Sequence, residues 1–185
     1  MGNIKHIYEA GIDNMVVLIS TSLDGKNYVM TSGTVAEVSH TPPLLLTSIC
    51  PERYTHDIIR KSRVFAVNVL SKKQKMLAVN CGSKSGRDID KFKEFHLKYR
   101  LGECKVPLIN GCLANIECRV VAEYPHGDHT IFVGEMVDAT VIGNRKYSSL
   151  LLSDMNTVGP RFLWEILRKI PGIFILKKIF ITQKK

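Results

Sequence analysis

The five cysteines, Cys50, Cys81, Cys104, Cys112 and Cys118, are odd in number and include no C-x-x-C pair. In a chain this long and this rich in aliphatic residues, that argues against a disulfide framework and for a reducing cytoplasm. No apolar run reaches the ~18 residues of a membrane span. The N-terminal MGNIKHIYEA has no apolar signal core, and His6 stands where myristoylation wants Ser or Thr. G-x-G-x-x-G is absent, as is regular strand–helix alternation, which excludes a Rossmann domain. No carboxylate pair or Ser-His-Asp set is recognisable. There are no internal repeats and no low-complexity segments.

What is present describes one globular domain with a charged appendage. A chain of 185 residues with 45% hydrophobic and 23% charged residues can bury a sizeable core. The net charge of +9 is uneven. Residues 160–185 hold seven basic side chains against Glu165 alone, a net +6 that leaves +3 for the rest. The basic balance therefore belongs to a tail and gives no reason to expect nucleic acid at the main domain. The expected division is a domain over 1–159 and a basic amphipathic tail over 160–185.

The pattern along the chain is mainly β with short helices, an α+β arrangement. NMVVLIST over 14–21 reads as a buried strand, and Asp24-Gly25 as a hairpin turn. Tyr28 to Ser39 reads as the return strand, with Gly33 marking a bulge or a close approach. Pro42-Pro43 is a turn, and Leu44 to Cys50 a third strand. A short helix runs from Arg53 to near Ser62, and Val64 to Leu70 forms a fourth strand. Ser71 and Gln74 have capping-box spacing ahead of a helix whose buried side is expected from Met76, Leu77 and Val79. A polar loop over 83–88 and a short helix over 90–95 follow. A long strand lies within 108–123, a turn over Pro125 to Asp128, and a last strand over 130–142.

Met30 to Ile58 carries most of the chemistry. Thr31, Ser32 and Thr34 cluster around Gly33, while Ser48, Cys50, Arg53, Tyr54, Thr55 and His56 follow the next strand into a helix start. Such a set suits a flat polar ring held by its edge and a phosphate held by its tail, since helix starts present N–H groups and a positive dipole end to anions. Ser83-Lys84-Ser85-Gly86-Arg87 reads either as a second phosphate cradle or as a surface loop. His126 and His129 have H-x-x-H spacing, but Pro125 and Gly127 make a turn and no third ligand is recognisable, so no metal is expected.

These segments resemble the flavin reductase-like family of FMN-binding split β-barrels. The matching landmarks are TSGT, S-x-x-PP, R-Y-T-H, FAVNVL, SGRDIDKF and GDHTIFVGE, in family order over roughly residues 10 to 145. The resemblance implies an FMN-binding split barrel, and a ring edge along Thr31, Ser32, Gly33 and Thr34. It also implies a phosphate near Arg53, Tyr54, Thr55 and His56. Ser48, Cys50, Ser83 and Lys84 are further candidate contacts to the cofactor by their positions along the chain. By the GDH match, His129 lies where NADH or NADPH docks. The implied activity is NAD(P)H-dependent flavin reduction. The alternatives are a flavoredoxin-like electron carrier or ferric reductase, and a non-catalytic flavin-binding module. The family also implies a homodimer and a donor or acceptor protein. The tail, with Phe162, Leu163, Ile166, Leu167 and Ile170 at helical spacing, is expected to pack on the protein's own dimer in preference to a membrane surface.

Overall fold

The computed structural model describes residues 12–141 and 148–155. The expectations for the tail lie outside these residues. Among the described residues, nine strands and four short helices build the domain. β1 (Val17–Leu23) and β2 (Lys26–Ser32) are joined by the two-residue turn Asp24-Gly25, with positive φ at both positions. Both conformations suit the twist of a tight hairpin, and the turn fixes the register Leu23↔Lys26 through Val17↔Ser32.

The expected return strand does not run on to Ser39. It ends at Ser32, and β3 (Val35–His40) begins after Gly33 and Thr34. The sheet order is β2-β1-β5-β8-β9-β4-β3, where β4 is Pro43–Ile49, β5 Val64–Val69, β8 Ala114–His126 and β9 His129–Val141. Strands separated by two residues of sequence thus occupy opposite edges of a seven-stranded sheet. A link of two residues spans at most about 7 Å plus its end bonds, so the sheet must roll until its edges nearly meet. The result is a barrel closed by the chain, with no β2–β3 ladder.

Rolling gives the sheet a core on each face, and a smaller cluster forms from Ala66, Val106 and Leu108. Inside, Val17, Ile19, Leu45, Ile49, Phe65, Val67 and Phe132 pack together, with Ile59 of α1 (Tyr54–Ser62) joining them. Outside, Val16, Leu18 and Val29 meet Ala78 and Cys81 of α2 (Lys75–Ser83), Phe92 of α3 (Lys91–Glu94) and Leu150. β1 is therefore buried on both faces, which explains its unbroken apolar run. A short 3₁₀ turn over Lys72–Gln74 leads into α2, and Gln74 accepts the Ser71 N–H at 3.0 Å, as the capping box anticipated.

Three local expectations need correction. Met76 is 57% exposed, and Ala78 and Cys81 supply the buried side of α2 with Val79. The turn expected over Pro125 to Asp128 is only Gly127-Asp128, because β8 pairs with β9 as far as His126↔His129. A small hairpin of β6 (Tyr99–Leu101) and β7 (Pro107–Ile109) precedes the long β8. It is tied down by a buried network: Asn68 accepts the Ile109 N–H at 2.8 Å, and Ser20 donates to the Pro107 carbonyl at 2.5 Å.

Candidate functional site

The seam where β2 passes into β3 gathers most of the residues singled out in the sequence. Thr31 donates its hydroxyl to the Ala78 carbonyl of α2 at 2.5 Å. Thr34 donates to the Ser48 carbonyl at 2.7 Å and lies 3.1 Å from the Ser32 hydroxyl, while the Ser48 N–H returns a bond to the Thr34 carbonyl at 3.3 Å. The hydroxyls that marked this cluster in the sequence thus stitch the seam shut. Gly33 makes room for α4 (Leu152–Met155), because a Cβ there would lie 3.0 Å from a methyl group of Leu152.

At the end of β4, Cys50 is half-buried with a free thiol, and its carbonyl accepts the Arg53 N–H at 2.9 Å. Arg53 is extended and opens α1. Among the described residues its guanidinium has no hydrogen-bond or ion-pair partner. Tyr54 packs edge-on against Tyr28 at 5.5 Å between ring centres, and the Arg87 guanidinium lies over its ring at 5.2 Å. Arg87 also donates to the Glu52 carbonyl at 3.0 Å, which brings the 83–87 loop to the start of α1. In that loop Ser83 donates to the Asn80 carbonyl at 3.1 Å, and Lys84 is exposed.

Thr55 and His56 point inward and are buried. One His56 nitrogen lies 3.0 Å from the Thr130 hydroxyl on β9 and the other 3.0 Å from an Asp57 oxygen, with Phe132 edge-on to the ring. His56 is therefore a tie between α1 and β9. Because Ile49 pairs with Thr130, His129 begins β9 beside the end of β4, close to the start of α1. Its side chain is 40% exposed and lies 2.7 Å from the Asp128 carboxylate. The Asp128–His129 contact holds the Asp128 carboxyl below its ordinary range, first through the hydrogen bond and then through charge.

One residue that sequence reasoning passed over belongs to this neighbourhood. Lys91, at the start of α3, is 6% exposed and donates to the carbonyls of Val29 at 2.9 Å and Cys81 at 2.6 Å. Its only signal in the sequence is its place in SGRDIDKF, between the α3 cap Asp90 and the buried Phe92.

Taken as donor chemistry, the seam end offers backbone amides at a strand break, an arginine without a side-chain partner among the described residues, a buried lysine and the start of a nine-residue helix. These residues fit a planar cofactor with a phosphate tail. The rolled, unclosed sheet with this end is a split β-barrel of the FMN-binding type. The flavin reductase like domain matches residues 10–158, so the chain belongs to that family. The match extends past residue 145, where the sequence resemblance was expected to fade.

Relatives illustrate the range of the family. The chain is 37% identical over 110 residues to the FMN reductase (NADH) SmoA of Agrobacterium fabrum, covering 60% of each chain. It is 33% identical over 124 residues to the reductase component of a 4-nitrophenol 4-monooxygenase/4-nitrocatechol 2-monooxygenase of Rhodococcus opacus, covering 67% of this chain and 64% of the other. It therefore spans less than two thirds of either relative's length. An FMN-binding protein of Thermus thermophilus, solved with 1-cyclohex-2-enone, superposes with a TM-score of 0.69 at 28% identity, over 76% of this chain and 77% of that one.

Proposed function

We propose that this protein binds FMN at the seam end of the barrel, oxidises NADH or NADPH there, and delivers the electrons to a second acceptor. The carrying observation is the convergence of the β2–β3 junction, the end of β4, the start of α1 and the start of β9, with Arg53 unengaged among the described residues. Bound flavin would supply a ring that takes a hydride from the nicotinamide. The chain's part is binding and orientation. Arg53 and the first turn of α1 hold the phosphate, and the backbone of residues 31–34 lies along the ring edge. Ser48 and Cys50 form the wall beside it. His129, oriented by Asp128, stands on the side where the nicotinamide docks. Among relatives, SmoA is named an FMN reductase (NADH), which favours this reading.

The acceptor we propose is a partner protein that uses reduced flavin, on the pattern of the Rhodococcus reductase component. A homodimer in the cytoplasm is part of the same proposal. Val121 and Tyr124 on β8 are about half exposed and suit contact with a second copy. Among the described residues, no helix is long and apolar enough to cross a membrane.

Titration with FMN followed by an NADH-oxidation assay tests the proposal. Expected are a flavin absorbance spectrum and turnover, with His129→Ala raising the KM for nicotinamide and leaving FMN affinity unchanged. Flavin binding without NAD(P)H turnover would make the protein an electron carrier. Failure to take up flavin would end the proposal.

A further inference from the structure

His129 and its Asp128 partner sit at the tip of the β8–β9 hairpin, where the backbone holds them loosely. The β4 ladder ends at Ile49↔Thr130, so His129 pairs only with His126 of β8. Opposite Thr130 on β8 stands Pro125, which has no N–H to give the ladder. The Asp128 carboxylate that touches His129 is almost wholly in water, where such a contact fixes a side chain weakly. The buried polar anchor near this tip is the Thr130 hydroxyl, 3.0 Å from Nε2 of His56.

His56 meets that hydroxyl from the start of α1. Its backbone N–H donates to the Arg53 carbonyl at 2.9 Å and closes the first turn of the helix. Its ring is buried and edge-on to Phe132. The Asp57 carboxylate can only accept, so Nδ1–H donates to it, and in the neutral ring Nε2 accepts the Thr130 hydroxyl proton. One buried ring thus joins the helix start that carries Arg53 to the strand start that carries His129. We infer that His56 is a positioning residue for nicotinamide: through Thr130 it fixes where His129 stands relative to the start of α1. The inference rests on the flavin reading above and deepens it.

Three variants of the full chain test this role. His56→Phe keeps a flat ring beside Phe132 but removes both nitrogens. Thr130→Val removes the hydroxyl at nearly constant volume, and His56→Gln restores an amide where Nε2 stood. In the flavin-free protein, amide exchange over residues 128–131 should quicken about five-fold in the first two, as for the loss of one net hydrogen bond, while β1 exchanges as in the parent. With FMN bound, the KM for NADH should rise about five-fold in both, with kcat changing less. His56→Gln should restore both readouts. In a His129→Ala background, His56→Phe should add nothing further to KM, because the two act at one point. Faster exchange that spreads into β1, a KM at the parent value in either of the first two variants, or a full additional loss in the His129→Ala background overturns the inference alone. A parent that binds no flavin, or oxidises no NADH, overturns it together with the proposed function.

Discussion

At the scale of single residues, position in the fold separates side chains that look alike in the sequence. Arg53 and His56 stand three residues apart in one motif. His56 is buried against Phe132 and tied to Thr130, whereas the Arg53 side chain has no hydrogen-bond partner among the described residues. A helix start turns successive side chains by about 100°, so neighbours in a motif meet different surroundings. If Arg53 holds the phosphate, Arg53→Ala should weaken FMN binding by about 1.5–3 kcal/mol, the range for a charge-assisted hydrogen bond. Riboflavin affinity should stay the same, and fluorescence titration of both ligands decides it. Equal losses for the two would remove Arg53 from the phosphate. Gly33 carries a related lesson. Its missing side chain was legible as a close approach, but the approaching group in the fold is Leu152.

At the scale of elements, β9 runs beside β8 and, at Gly134, leaves no room for a side chain. A Cβ on Gly134 would lie 2.7 Å from the Phe65 ring and 2.8 Å from Cys118. Neither neighbour can retreat, because both are fully buried. Gly134→Ala should lower stability by about 1–3 kcal/mol, the usual cost of overpacking, visible as a lower denaturant midpoint with an unchanged slope. A midpoint like the parent's would mean that the two strands slide apart at little cost. The sequence marked β9 as a strand but gave no hint of this crowding, since Phe65 and Cys118 are remote along the chain. The hairpin of β6 and β7 was missed for a similar reason. Its strands are three residues long and held by the buried Asn68, which no local pattern reveals.

At the scale of the whole molecule, buried thiols set the response to alkali. Burial pushes the thiols of Cys81 to about 11 and of Cys112 and Cys118 to about 12, from an ordinary 9.0. Above pH 9 the unfolded chain gives up these protons before the folded one, so stability present below pH 9 is lost as pH rises. Lys91 acts in the opposite sense. Between about pH 8 and 10.5 the unfolded chain keeps a proton that the folded one has released, which favours folding as pH rises. Three thiols oppose one amine, so the flavin-free protein should lose thermal stability between pH 9 and 10.5. Cys112→Ala should flatten that decline. A melting temperature that stays level across the interval would mean that the interior admits thiolates easily.

By itself the sequence determined the fold class, the two-residue Asp24-Gly25 turn, the short helices and the family, because these depend on local conformational preference and on landmarks in a fixed order. It also named most residues of the seam end, since a strand followed by a helix start is a local pattern. Only the tertiary structure decided that Tyr28 to Ser39 divides between two edges of one sheet, that three hydroxyls there bond to the protein itself, and that Lys91 lies buried against the Val29 and Cys81 carbonyls. Each of these depends on how the sheet rolls, and rolling is fixed by packing on both of its faces at once, which no stretch of the chain contains alone.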